Sequence, residues 1–147
     1  TISQDIITGF PTETEKDHQD TLSLMDYVKY DYGYMFAYSE RPGTLAARKI
    51  KDDVPEEVKK RRLAEIVALQ RAHCAFRTEA FVGDTFEVLI EKESKKSNQH
   101  WAGRTSQNTM AVFPKKDYKV GEFVMVKISG CTSATLIGDG IGYPDDN

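Results

Sequence analysis

The chain has 147 residues, 20 of them basic and 23 acidic, for a formal net charge of −3. That length admits one ordinary domain or two small ones, and the charge excludes a strong overall field that recruits nucleic acid or anionic membrane, while leaving room for a local basic patch. Two cysteines, Cys74 and Cys131, lack any CxxC-type spacing, which argues against a zinc or iron–sulfur site held by this chain alone.

Free thiols and many charges suit a reducing cytoplasm. No apolar run approaches the roughly 20 residues of a membrane span, and no charged-then-apolar leader opens the chain. The sequence starts abruptly at the edge of a strand, so Thr1 does not read as a natural start.

The opening stretch reads as strand, tight turn, helix. Ile6 and Ile7 form a short apolar run, which stops at Gly9-Phe10-Pro11. Thr12 and Glu15 have capping-box spacing and predict a helix from Glu13 to about Lys29, with Leu22, Met25 and Val28 on one face. Period-two alternation through Tyr32, Tyr34, Phe36 and Tyr38 predicts a second strand. The unit is βαβ and implies a parallel sheet, but two strands do not close one. This half is therefore expected to pack on something outside the sequence or on a partner.

Ser39-Glu-Arg-Pro-Gly-Thr44 follows the second strand as a Pro-Gly turn. Arg41 can clamp a carboxylate or phosphate there, or pair with Glu40 or Asp31. Residues 45–53 read as a polar connection. Asp53, Pro55 and Glu56 then open a helix to about Arg77, with Val58, Leu63, Ile66, Val67, Leu69 and Phe76 as its apolar side. Lys59-Lys-Arg-Arg62 reads as its solvated charged face.

From Ala80 the texture turns to β. Strands are predicted over 81–90, 101–105, 109–113, 123–128 and 134–137, and the tail 140–147, with its Asp145-Asp146, is expected to fray. Five short strands argue for a small closed barrel of the oligonucleotide-binding type. The fold class is α/β plus all-β, with the boundary placed between 1–76 and 77–147.

No catalytic set is complete: His18, His73 and His100 are scattered, and neither HExxH nor GxSxG occurs. Asp5 and Glu13 flank the first turn, where they can meet a ribose or an ammonium group or serve as cap and surface acids. Lys92, Lys95 and Lys96 precede Trp101 and Arg104, with Glu91 and Glu93 opposing. Cations beside an aromatic ring suit looped or single-stranded RNA; the alternative is a solvated hairpin with Trp101 in the core.

Four motifs in order resemble the C-terminal part of MiaB-type radical S-adenosylmethionine tRNA methylthiotransferases. They are Asp5-Ile-Ile-Thr-Gly-Phe-Pro-Thr-Glu-Thr-Glu15, Tyr38-Ser-Glu-Arg-Pro-Gly-Thr44, Val54-Pro-Glu-Glu-Val-Lys-Lys-Arg-Arg-Leu63 with Leu69-Gln70, and a barrel set of Ser94-Lys-Lys96, Gly103-Arg-Thr105, Asn108 and Phe113. The resemblance implies that 1–76 is the βαβ end of a radical S-adenosylmethionine partial TIM-type barrel with a linker helix. It implies that 77–147 is a five-stranded antiparallel TRAM barrel that binds RNA.

The implied reaction methylthiolates the second carbon of isopentenylated adenosine beside the anticodon. It uses S-adenosylmethionine and two 4Fe-4S clusters. Asp5, Gly9, Phe10, Pro11, Glu13, Ser39 and Arg41 would lie near S-adenosylmethionine. Lys92, Lys95, Lys96, Trp101, Arg104 and Asn108 would meet the tRNA anticodon stem-loop.

The family usually has glycine where this chain has Thr12, and threonine is expected to serve as a cap. The cluster cysteines are absent from this chain; in the family they lie upstream, so the remainder of the same polypeptide is an implied partner and this chain is expected to be inactive alone. Related readings are a methylthiotransferase for another hypermodified adenosine or for a ribosomal-protein aspartate. A reading of another class is a non-catalytic RNA-binding module.

Overall fold

The computed structural model describes residues 1–144, so Asp145-Asp146 lies outside the described residues. Contacts divide the chain into two compact units, 2–73 and 74–147, with Thr1 grouped with the second.

In the first unit, β1 (Ser3–Thr8) and β2 (Tyr32–Ala37) pair in parallel through α1 (Glu15–Val28), with Asp5 opposite Tyr34 and Ile7 opposite Phe36. Alternation gives this two-stranded sheet two unlike faces. One carries Ile7, Tyr34 and Phe36, each more than half exposed.

The cap of α1 sits two residues later than the sequence spacing implies. Thr14, not Thr12, is the N-cap, and it forms the capping box with Asp17. The stretch Thr12-Glu-Thr-Glu-Lys-Asp17 carries two overlapping boxes, and the turn selects the second. Thr12 instead takes a left-handed φ of 74° and donates its N–H to Asp53 Oδ1 at 2.7 Å. Glycine is the residue that adopts this conformation at no steric cost. A glycine at position 12 would thus serve the backbone rather than a cap.

Residues 45–53 are not wholly irregular, because Thr44 caps a short helix, α2 (Leu45–Lys49). The long helix α3 (Glu56–Glu79) departs furthest from its sequence pattern. Its buried side within the first unit is polar: Lys59, Arg62, Gln70 and His73 are buried along with Ile66, whereas Phe76 is 57% exposed. The sequence places Lys59 and Arg62 on a solvated face, but carboxylates from α3 and from other segments draw them in. Lys59 Nζ meets Asp52 and Glu56, and Arg62 Nη1 meets Glu13 Oε1 at 2.8 Å. A buried cation is tolerated only when paired in this way.

The second unit is a closed barrel in the order β3-β4-β5-β7-β6, built from β3 (Thr85–Ser94), β4 (Ser97–Thr105), β5 (Met110–Pro114), β6 (Phe123–Cys131) and β7 (Thr135–Gly142). The barrel is mixed rather than antiparallel, because β5 and β7 run parallel, Met110 opposite Thr135 and Val112 opposite Ile137. β3 starts at Thr85 because Gly83 (φ 98°) belongs to a turn. β4 begins at Ser97, four residues before the predicted strand, and β7 continues through Gly142, so residues 140–142 are paired rather than frayed.

Inward positions fill the core with Val88, Ile90, Ala111, Phe113, Val124, Val126, Ile128 and Leu136. The walls meet closely at Gly103, where a Cβ would lie 2.2 Å from the Leu89 carbonyl oxygen. No described helix is long and apolar enough to cross a membrane.

Candidate functional site

Two places gather the residues singled out in the sequence. The first is the carboxyl end of the parallel pair. Gly9 turns the chain with φ 73° and donates its N–H to Glu13 Oε2 at 2.9 Å. Thr8 Oγ1 donates to the other carboxylate oxygen at 3.3 Å. The same carboxylate accepts from buried Arg62, which also reaches the Glu13 carbonyl at 3.1 Å. Glu13 therefore faces inward and shapes the turn.

A Cβ on Gly9 would approach Lys59 Cγ to 2.5 Å, so the turn lies directly on the lysine stem. Asp52, by hydrogen bonding, raises the Lys59 pKa and keeps the buried ammonium charged. That ammonium sits 5.4 Å from the Tyr38 ring centroid, and Tyr38 packs edge-to-face on Phe10 at 5.1 Å. Tyr38 also donates its N–H to the Thr8 carbonyl at 2.8 Å, which ties the two strand ends together.

Around this scaffold Pro11 is buried and Phe10 is 41% exposed. Asp5, Ser39 and Arg41 are exposed, and their side chains have no polar partner among the described residues. Arg41 pairs with neither Glu40 nor Asp31; the Asp31 carboxylate accepts from the Ile2 N–H at 2.8 Å. Lys59 and Arg62, which position the whole turn, were missed by sequence reasoning. The one available signal was Glu13 and Asp52 without assigned cations.

The second place is the outer face of the barrel. Lys95 and Lys96 are the two-residue tip between β3 and β4. With Lys92 they stand at the rim of a cleft of about 550 Å³. Its floor is Ala102, Val112 and Ile137, neighbours across three strands, with Met110 beside them. His100 joins the wall, its Nδ1 2.9 Å from Ser97 Oγ. No carboxylate of a described residue lines the cleft.

Trp101 and Arg104 are not part of it. Trp101 packs against the core, donates its indole N–H to the Tyr118 carbonyl at 3.0 Å and lies 4.4 Å from Lys115 Nζ. Arg104 donates to Asn108 Oδ1 at 2.8 Å and lies 3.5 Å from Glu91. Asn108 holds the β4–β5 turn with φ 62°, a left-handed position that asparagine tolerates. The acids opposing the lysines in sequence are engaged away from the cleft, Glu91 with Arg104 and Glu93 with Lys115.

No group of three or more His, Cys, Asp or Glu among the described residues is arranged to hold a metal, and neither Cys74 nor Cys131 is in a disulfide. The described residues do not fit an iron–sulfur cluster.

The TRAM domain family matches residues 79–141. The chain is 68% identical over 146 residues to the tRNA-2-methylthio-N(6)-dimethylallyladenosine synthase of Christiangramia forsetii, covering 99% of this chain and 30% of that protein. It is 63% identical to the synthase of the same name from Flavobacterium psychrophilum, covering 99% and 30%. With that of Porphyromonas gingivalis it shares 49% identity, covering 97% and 31%.

The chain thus spans about 30% of the length of these relatives. A solved apo form of Mycoplasma genitalium RNase R aligns with 65% of this chain and 19% of its own at 13% identity and TM-score 0.36, a likeness too low to define a common fold. Along nearly its whole length the chain is thus similar to part of the tRNA-2-methylthio-N(6)-dimethylallyladenosine synthases, and its residues 79–141 match the TRAM domain family.

Proposed function

We propose that this chain works within a longer polypeptide that methylthiolates the second carbon of isopentenylated adenosine beside a tRNA anticodon, and that the polypeptide acts in the cytoplasm. Residues 1–76 would supply one wall of the cofactor and substrate pocket, and 77–147 the RNA-binding barrel. The observation carrying this reading is the similarity to synthases of that name along nearly the whole chain.

The geometry supports it at the first site. A two-stranded sheet does not stand alone, and its face with Ile7, Tyr34 and Phe36 exposed suits further strands of a partial TIM-type barrel. Asp5 lies on that face, at an alternate position to Ile7. It suits the ammonium or ribose of S-adenosylmethionine, and the free guanidinium of Arg41 suits the carboxylate. Gly9, Phe10, Pro11 and Ser39 complete that edge of the pocket. Glu13 serves as a positioning residue, because it holds the Gly9 amide while Arg62 holds it.

S-adenosylmethionine, with iron–sulfur clusters held elsewhere in the polypeptide, would supply the hydrogen abstraction and the sulfur. This chain's own contribution is to orient and enclose.

The test is mass spectrometry of tRNA nucleosides from cells lacking the gene. Loss of the 2-methylthio nucleoside with accumulation of isopentenylated adenosine is expected. Unchanged tRNA, with loss of a methylthio group from a ribosomal-protein aspartate instead, would overturn the reading.

A further inference from the structure

The barrel cleft is built for more than phosphate. Its floor residues lie in register on adjacent strands, Ala102 opposite Val112 and Val112 opposite Ile137. Three strands spaced by about 4.8 Å make an apolar strip about 10 Å across, wide enough for the face of one base. Met110 beside it adds a flexible thioether that adapts to ring shape. The volume, about 550 Å³, falls within the roughly 300–1,000 Å³ of small-molecule sites. Lysines at the rim and no acid in the lining favour an anion attached to a flat apolar group, which is the chemistry of a nucleotide.

We infer that this cleft seats one unstacked base of the bound RNA on the Ala102–Val112–Ile137 strip, with the adjoining phosphate on Lys95 and Lys96. The inference rests on the RNA-binding reading and names where a base enters. It moves base contact away from Trp101, whose indole N–H is already engaged by Tyr118. Ser97 and His100 stand at the wall, placed to meet the polar edge of the base.

Fluorescence anisotropy of the full chain with labelled single-stranded RNA, in a series with one abasic nucleotide moved along the strand, tests it. One abasic position should weaken binding by about tenfold, the loss of one base packed on an apolar surface. Thr135→Trp, which fills the cleft, should weaken the intact RNA similarly and make that abasic position silent. Ile137→Ser offers a milder second variant, and circular dichroism checks that both fold. Both should leave the salt slope unchanged.

Binding with a normal salt slope but no sensitive abasic position would overturn the cleft and leave the RNA reading standing. Sensitivity that persists unchanged in both variants would place the base elsewhere. No binding of any RNA would overturn both.

Discussion

Gly9 and Thr12 sit three residues apart with nearly equal left-handed φ angles, 73° and 74°, and opposite side-chain surroundings. Exchanging their chemistry tests the account of the turn. A non-glycine residue in this conformation costs about 1–2 kcal/mol, and glycine gives back about 0.5–1 kcal/mol through the entropy of the unfolded chain. Thr12 is exposed, and the contact fixing it is its own backbone N–H to Asp53, which glycine retains. Thr12→Gly should therefore stabilise by roughly 0.5–1 kcal/mol.

Gly9→Ala incurs the same backbone cost and also drives a methyl group to 2.5 Å from Lys59 Cγ. The loss should run from about 1 kcal/mol, if the stem shifts with its ion pair intact, to about 5 kcal/mol if Lys59 separates from Asp52. Urea unfolding followed by helical circular dichroism reads this unit, because α1 and most of α3 belong to it. Fluorescence of Trp101, the single tryptophan, reads the barrel in the same samples. A lower midpoint for Thr12→Gly, or an unchanged one for Gly9→Ala, would refute the reasoning.

Three further outcomes follow from the geometry. Lys95→Ala with Lys96→Ala should flatten the slope of log affinity for single-stranded RNA against log salt by about 0.7, the share of the one phosphate they hold together; an unchanged slope removes the hairpin tip from the contact. Arg41→Ala, made in the longer polypeptide, should lower turnover with little change in melting temperature, since the side chain has no partner among the described residues; equal losses of activity and stability would give it a structural role.

In acid, Glu15, held at a pKa of about 2 chiefly by the Arg61 hydrogen bond, favours the folded state while ionised. Asp17, lowered by Thr14, and Glu65, lowered first by His18, act in the same direction. Because these folded-state values lie below the unfolded ones, their contribution is complete above about pH 4.5 and fades as pH falls toward 2. Arg61→Ala should shallow that acid limb, which thermal melts across the range would show.

Much of the architecture was legible, for reasons that differ by segment. The βαβ unit could be read because Tyr32, Tyr34, Phe36 and Tyr38 alternate with period two while Met25 and Val28 keep helical spacing. The capping register could not, because Thr12 and Thr14 are each followed by an acid three residues on, and only the backbone angle at Thr12 decides between them. The polar burial on α3 escaped a hydrophobic pattern by its nature. Lys59 and Arg62 are inside because Asp52 and Glu13 come to them, an arrangement that tertiary pairing creates.

Strand alternation marks which residues face inward but not which strands adjoin, so the parallel β5–β7 pair was invisible. That pair brings Ile137 beside Val112 and completes the cleft floor. The basic hairpin is singled out in the sequence by its lysines together with Trp101 and Arg104. Trp101 and Arg104 followed them in sequence yet turn to other partners, Tyr118 and Asn108.

The proposed function makes this chain a working part of a larger cluster-bearing enzyme, with a cofactor edge proposed for one unit and RNA binding for the other. Native mass spectrometry of the protein purified anaerobically from its own cells, with iron quantified in the same sample, tests that most directly. A mass about threefold that of this chain, as the 30% coverage of its relatives implies, with iron bound, is the predicted result. A native mass of 16.6 kDa without iron would contradict it and leave an RNA-binding module alone.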